Sequence, residues 1–347
     1  MADGVLDSVV GMWMTWRAAM REALYGDGGF YTRGERPADH FRTSVHASRR
    51  YGEAVLTLVC AVDAVLGKPG RLDIVDVGSG QAELITWVLG SAGPELAARL
   101  RPYAVELAPR PASLPTQIRW RQIAPNGIVG LILANEWLDN IPLDVAELAP
   151  DGPRLVLVDP ATGAERLGGR VTPGDEAWLA RWWPLREVGD RAEVGRPRCA
   201  AWAALIRQLA RGTAVAADYA HVATGRPDAG TLTGYRDGRL VPAVPDGSCD
   251  LTAHVSLDAC AAAGASAGAT GTLLTTQRSA LAALGVSGKR PPPELARRDP
   301  RRYVAELCLA AEEAELLDPA GLGGFGWLVQ TAGMPLPGPL AQGSDPD

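Results

Sequence analysis

"IVDVGSGQAELI", residues 74–85, decides the fold. Ile74, Val75 and Val77 form an apolar run of the kind found in a parallel strand covered on both faces. The run holds an acid, Asp76, and ends in two spaced glycines. Gly78 and Gly80 permit a tight turn at positive φ and let the backbone come close to a ligand. From Glu83 to Leu89 the apolar spacing becomes helical. Strand, glycine turn and helix in this order set bare N–H groups and the positive end of a helix dipole over a pocket.

Working outward, the same alternation continues. "RPYAVEL" (101–107) reads as a second strand ending at Glu106, "IRWRQI" (118–123) as a third, and "IVGLILANEWLDNIP" (128–142) as a fourth with its polar residues at the C-terminal end. The alternation predicts an α/β protein with a doubly wound, mostly parallel Rossmann-like sheet. Ahead of it lie two helical patterns. One runs from Val5 to Leu24 through Val9, Met12, Trp13, Trp16 and Met20. The other runs from Ala47 to Leu66, with Tyr51, Val55, Leu58, Val59, Val62 and Val65 on one face. Asp7, Arg17, Arg21 and Glu22 interrupt the first pattern, so it is neither a signal peptide nor a membrane span.

Residues 143–170 change style. Short alternating segments separated by Asp151-Gly152 and Thr162-Gly163 predict antiparallel hairpins. "DEAWLARWWPL" and "RCAAWAALIRQLA" read as helices. "GTAVAADYAH" (212–221) returns to a buried strand. A late helix, Pro300 to Leu317, precedes a last strand, "GFGWLVQTAG". The expected organisation is N-terminal helices and a lid loop (1–66), a core (67–335) with an inserted hairpin and helical cap at 143–210, and a disordered tail (336–347).

Composition sets bounds on partners. The chain has 347 residues, 47% hydrophobic and 21% charged, as in ordinary globular proteins. A formal charge of −6 with no basic stripe argues against nucleic acid as a partner. The five cysteines are scattered and lack any C-x-x-C pair, which predicts reduced, buried thiols in a cytoplasmic protein. Abundant Ala, Gly, Arg and Pro suggest a GC-rich bacterial source. No membrane association is expected.

The glycine turn also discriminates between nucleotides. A phosphate-binding P-loop needs Gly-Lys-Ser/Thr, and the chain offers Gly80-Gln81-Ala82. A dinucleotide fingerprint needs a glycine where Glu83 stands, and an acid there would face a pyrophosphate. Asp76-Val77-Gly78-Ser79-Gly80 fits S-adenosyl-L-methionine better, since that cofactor carries no phosphate. Glu106 would accept hydrogen bonds from its ribose hydroxyls. A nicotinamide-dependent oxidoreductase is the weaker alternative.

The wider chain resembles the MidA-type family of class I S-adenosylmethionine-dependent methyltransferases, from about residue 28 to 331. "GFYTRGERPADHFRTSVHASRRYGE" (29–53) is similar to its N-terminal signature, "VDVGSGQAEL" to its cofactor turn and "ANEWLDNIPLDV" (134–145) to its A-N-E-x-x-D-x-x-P segment. "DYAH", "GTLTGYRDGR" (230–239), "DLTAHVSLDA" (250–259) and "GGFGWLVQ" match later blocks. The resemblance implies a methyltransferase acting on a protein arginine, and it includes a mitochondrial complex I assembly factor. Some positions depart from the pattern. Val45-His46 replaces Pro-Glu, Ala82 the third glycine, Thr233 an arginine and Gly238 a histidine. These departures keep open a non-catalytic assembly factor that only binds the cofactor, and they leave the acceptor as a protein or a small molecule.

Methyl transfer from a sulfonium is an in-line displacement that needs alignment and no metal. A guanidinium acceptor would call for carboxylates to orient it. Glu136 and Asp139, with Asn135 to position, stand at the C-terminal sheet edge where doubly wound folds place ligands. Asp139 could instead cap a following helix. The expected cofactor residues are Asp76, Gly78, Ser79, Gly80 and Glu106, with Thr43 and Ser44 on a mobile lid, 29–48, that folds over the cofactor. His40, His46, His221 and His254 have no metal-like spacing. Trp178, Trp182 and Trp183 read as a helix packing stripe.

Overall fold

The computed structural model describes residues 13–33 and 43–341. It divides into two compact units: Met1–Glu35, Pro142–Val194 and Pro227–Thr252 form one, and Arg36–Ile141, Gly195–Arg226 and Ala253–Asp347 form the other.

The larger unit is built on a seven-stranded sheet. Its strands are β1 (Leu72–Val77), β2 (Leu100–Val105), β3 (Arg119–Arg121), β4 (Ile128–Asn135), β5 (Leu209–Asp218), β6 (Gly271–Thr276) and β7 (Gly326–Ala332). Their order is β6-β7-β5-β4-β1-β2-β3. β1 to β5 are parallel, and β7 runs antiparallel between β5 and β6. The doubly wound, mostly parallel sheet is therefore present. Its order reverses between β1 and β4, and in such folds ligands bind beyond the carboxyl ends of the strands at that point.

Every residue of β1 is buried, including Asp73, which accepts Arg71 Nε at 2.8 Å and the Val129 N–H at 3.1 Å. Gly130 on β4 sits beside Asp73 at φ +148°, and a Cβ there would run into the Asp73 carbonyl. Only glycine lets the strands meet at this point.

The helices that flank the sheet are α1 (Ser44–Ala47), α2 (Arg49–Val65), α3 (Glu83–Ser91), α4 (Arg196–Gln208), α5 (Leu257–Ser266), α6 (Gln277–Ala283) and α7 (Pro300–Leu316). Tyr51, Val55, Leu58 and Val62 of α2 join Ile74, Leu131, Val215 and Trp327 in one core cluster. On β7, Trp327 and Gln330 are three residues apart and face opposite sides. Gln330 is tied to the other pair of helices: its Oε1 accepts Trp202 Nε1 of α4 at 2.7 Å, and its Nε2 donates to the Ala261 carbonyl of α5 at 2.8 Å.

In the smaller unit Asp144–Ala149, Gly152–Val158 and Glu165–Arg170 form the expected antiparallel hairpins. Met14–Thr15 pairs with Leu157–Val158, so helix formation begins only at Trp16, where Thr15 Oγ1 accepts the Ala18 N–H at 3.3 Å. Trp13 is not helical, contrary to the sequence reading, and Val5, Val9 and Met12 lie outside the described residues. Trp178 and Trp183 are buried, as a packing stripe requires. Helix α4 falls in the sheet-bearing unit although the sequence reading ran the insertion through it.

The tail expected to be disordered begins with an ordered turn of helix, Gly338–Ala341, and residues 342–347 lie outside the described residues. All five cysteines are free, but Cys60 and Cys308 are exposed rather than buried. Among the described residues no helix is long and apolar enough to cross a membrane.

Candidate active site

The turn after β1 carries three alternate positions at positive φ, Gly78 at +68°, Gly80 at +53° and Ala82 at +63°. The alanine at the last of these bears a strain of about 1–2 kcal/mol that glycine would not. The N–H groups of Gly78 and Ser79 donate to the Val105 carbonyl at 2.9 and 3.3 Å, pinning the turn to the end of β2. Glu106, the next residue, accepts the Gly80 N–H at 3.0 Å through Oε2 and the N–H groups of Leu107 and Ala108 at 2.6 and 3.2 Å through Oε1. Three donors fix this carboxylate and leave it acceptor capacity for further hydroxyls.

Two more features suit a nucleoside beside the turn. A Cβ on Gly80 would meet nothing within 4 Å, so that position is open. Ser79 Oγ is buried and has no hydrogen-bond partner among the described residues, which is costly unless a ligand supplies one. Asp76 lies buried beneath the turn. Burial, with Glu83 and Glu106 nearby, pushes its carboxyl up to about 7.

The second element is the chain leaving β4. Glu136 takes a left-handed conformation, φ +50°, with its N–H on the Ala217 carbonyl at 2.8 Å. Its Oε1 accepts the Ser44 N–H at 3.1 Å and Asn135 Nδ2 at 3.0 Å. Its Oε2 accepts no hydrogen bond among the described residues. The buried Tyr51 hydroxyl donates to Asn135 Oδ1 at 2.5 Å, which aims the amide nitrogen at Glu136. Burial pushes the Glu136 carboxyl up to about 7; the Ser44 N–H works against the shift and Asp139 adds to it.

Ser44 is held in turn by Gln277, whose Nε2 donates to Ser44 Oγ at 3.0 Å and to the Leu322 carbonyl at 2.9 Å. Trp327 Nε1 donates to Gln277 Oε1 at 3.2 Å. Thr43 Oγ1 lies 2.6 Å from His46 Nδ1, and His46 Nε2 lies 3.7 Å from Glu83 Oε1 at the start of α3. The pairing with Glu83 raises the His46 pKa despite partial burial. Burial pushes the Glu83 carboxyl up, but His46 and backbone donors carry it below its ordinary value. The structure therefore brings Ser44 to Glu136 and links Thr43, through His46, to Glu83 at the start of α3. Residues 34–42 of the expected lid, with His40, lie outside the described residues.

Asp139 caps no helix. A turn follows it and leads to the strand Asp144–Ala149. Asp218, at the end of β5, accepts the N–H groups of Leu138 and Asp139 at 2.9 and 3.2 Å through one oxygen. The buried Arg198 guanidinium donates to the carbonyls of Asp139, Ile141, Ala253 and His254. Asp218, Arg198, Gln277 and Tyr51 were missed by sequence reasoning; the only available signal was the acid closing the strand in "DYAH".

The other histidines serve different surroundings. His221 is pushed down to about 3 by burial and by Arg226, His254 and Arg198. His254 stacks on Tyr219 with ring centroids 5.8 Å apart. Among the described residues no cluster of His, Cys, Asp and Glu could hold a metal ion.

A sheet of this order, with a glycine turn after its first strand and an acid after its second, has the architecture of the class I methyltransferases. Residues 57–274 match the model of a family described as "Putative S-adenosyl-L-methionine-dependent methyltransferase", and the chain belongs to that family. Its cofactor is S-adenosyl-L-methionine, and the nicotinamide alternative falls away.

Two solved structures from Burkholderia thailandensis, of proteins in one superfamily, share the fold. The first, bound to S-adenosyl-homocysteine, superposes with a TM-score of 0.76 at 24% identity, covering 94% of this chain and 89% of the other. The second, a native structure, gives 0.76 and 24%, covering 94% and 88%. No curated protein matches the sequence.

Proposed function

We propose that this methyltransferase modifies a side-chain nitrogen of a protein, an arginine by its resemblance to the MidA-type enzymes, with Glu136 orienting the acceptor. The observation that carries the reading is the state of the Glu136 carboxylate. One oxygen is loaded by Ser44 and Asn135, and the other accepts nothing from the described residues, at the C-terminal edge of β4. A carboxylate held in this way presents one oxygen at a fixed angle, which suits a guanidinium or another N–H donor.

The bound cofactor supplies an electrophilic methyl group on a sulfonium. In transfer the S–CH3 bond breaks, an N–CH3 bond forms, and the nitrogen gives up a proton. Glu136, pushed up to about 7, is matched in affinity to take that proton near neutral pH. Asn135 fixes the orientation of Glu136, and Asp139 adds negative charge beside it. On the cofactor side, Gly78, Ser79 and Gly80 would contact the nucleoside, Glu106 its ribose hydroxyls, and Asp76 the floor of the turn. Thr43 and Ser44 would close over it.

The test uses tritiated S-adenosyl-L-methionine and a lysate of source cells lacking the protein. A labelled protein band with wild type that fades with Glu136→Gln supports the reading. Label confined to small molecules replaces the protein acceptor. No label from any lysate, despite cofactor binding, overturns it.

A further inference from the structure

We propose that Asp218 is the positioning residue for Glu136: its carboxyl, bonded to the N–H groups of Leu138 and Asp139, holds the turn that keeps Glu136 left-handed. The inference builds on the role given to Glu136 above, but its test needs no methyl acceptor.

A left-handed glutamate is a disfavoured state that persists only where its surroundings over-determine it. Here the last two residues of β5 supply three anchors. Ala217 accepts the Glu136 N–H at 2.8 Å, and Asp218 Oδ2 accepts the N–H groups of Leu138 and Asp139 at 2.9 and 3.2 Å. Arg198 secures the carbonyl side of the same turn at Asp139 and Ile141. A hydrophobic residue at 218 would leave two buried N–H groups without acceptors.

The surroundings of the Asp218 carboxyl fit this role. Asp218 is fully buried, and its Oδ1 has no hydrogen-bond partner among the described residues. Burial, then the neighbouring Asp139 and Glu136, raises its pKa well above the ordinary value, against the pull of Arg198. Bracing the turn needs only an oxygen that accepts the two N–H groups, so the role asks for no charge beside Glu136.

The distinction leads to a three-way experiment on the intact protein. Amide exchange at Leu138 and Asp139 is followed in wild type, Asp218→Asn and Asp218→Leu. The Glu136 carboxyl is titrated by carbon-13 NMR, its signal assigned with Glu136→Gln. S-adenosylhomocysteine affinity reports an intact fold. Asparagine keeps an oxygen acceptor, so protection should stay within about threefold of wild type and the Glu136 midpoint should remain near 7. Leucine should speed exchange at both amides about tenfold or more and drop the midpoint towards the ordinary carboxylate range as Glu136 turns to water. If Asp218→Leu fails to fold, Asp218→Ser, too short to reach both amides, takes its place with the same expectations. Unchanged exchange in the leucine or serine variant overturns the proposal. So does loss of protection in the asparagine variant, or a lowered midpoint there, which would show that Asp218 acts through a charge.

Discussion

Ser44 gives its backbone N–H to Glu136 Oε1 across 92 residues of chain, so the short helix α1 and the end of β4 share one carboxylate oxygen. The placement of Ser44 and the orientation of the Glu136 carboxyl are thereby coupled. A substitution on either side of this bond should be felt on the other.

Gln277→Leu tests that coupling from the far side. The change strands Ser44 Oγ and Trp327 Nε1, both in fully buried residues. Each unmet group costs about 1–3 kcal/mol. Thermal unfolding should fall by several degrees, and S-adenosylhomocysteine should restore less of the loss than in wild type. An unchanged melting point would show that Gln277 does not hold Ser44.

Glu136→Gln should leave cofactor affinity nearly intact while methyl transfer falls about 10²-fold or more, the usual reach of a positioned acid or base. Calorimetry with S-adenosylhomocysteine and the tritium assay separate the two effects. Equal losses in both would make Glu136 a cofactor residue.

Glu106→Ala should weaken S-adenosylmethionine about tenfold or more, since hydrogen bonds to a charged group are worth about 1.5–3 kcal/mol. The Gly80, Leu107 and Ala108 N–H groups lose their acceptor in the same variant, so exchange at these amides should quicken. Gly80→Val should bind less cofactor still. It fills the open side of the turn and strains a left-handed position. Normal affinity in a folded Glu106→Ala protein would move the ribose site elsewhere.

The pairing of His46 with Glu83 predicts a pH dependence with a definite sign. The folded pKa of His46 is raised, so the pairing is complete below its ordinary value and is lost as pH rises through the raised one. Glu83 is lowered, so the acid limb ends where pH falls through that lowered value. Glu136 faces the same ring and gains charge near 7, which adds attraction while His46 is still protonated. The His46 and Ala47 amides, both on the Thr43 carbonyl, should therefore show more protection, corrected for intrinsic exchange, at about pH 6 than at about pH 8.5. In His46→Gln the difference should vanish. A histidine at this position works as a fastener, whatever it replaced.

Much of this was legible because the information was local. The strand, turn and helix at 72–91 follow from contiguous residues, and Glu106 stands at the end of the next strand. The hairpins announced themselves by Gly152 and Gly163, which adopt φ +116° and +71°. The chain of bonds through Tyr51, Asn135, Glu136, Ser44 and Gln277 was not legible, since Ser44 and Gln277 are 233 residues apart and no local pattern couples them. The alternative of a helix capped by Asp139 failed for a related reason. Asp218 and Arg198, distant in sequence, satisfy the turn that a helix cap would have served. β6 escaped notice because "GTLLTT" alternates beneath a single covered face and carries no acid or glycine turn at its end.

The smaller unit takes its chain from three separate stretches, and this fixes an order of events during synthesis. Trp16 leaves the ribosome 149 residues before Glu165, the acceptor of its indole N–H. Met14 must wait as long for the strand that pairs with it, ending at Val158. At the usual elongation rate of about 5–20 residues per second, that interval is roughly 7–30 s. Over that time Trp16, Met20 and Leu24, all buried in the finished protein, have no native surface to cover them. The nascent chain thus carries an uncovered amphipathic segment while 149 of its 347 residues are added, and a holding chaperone would find a binding surface there.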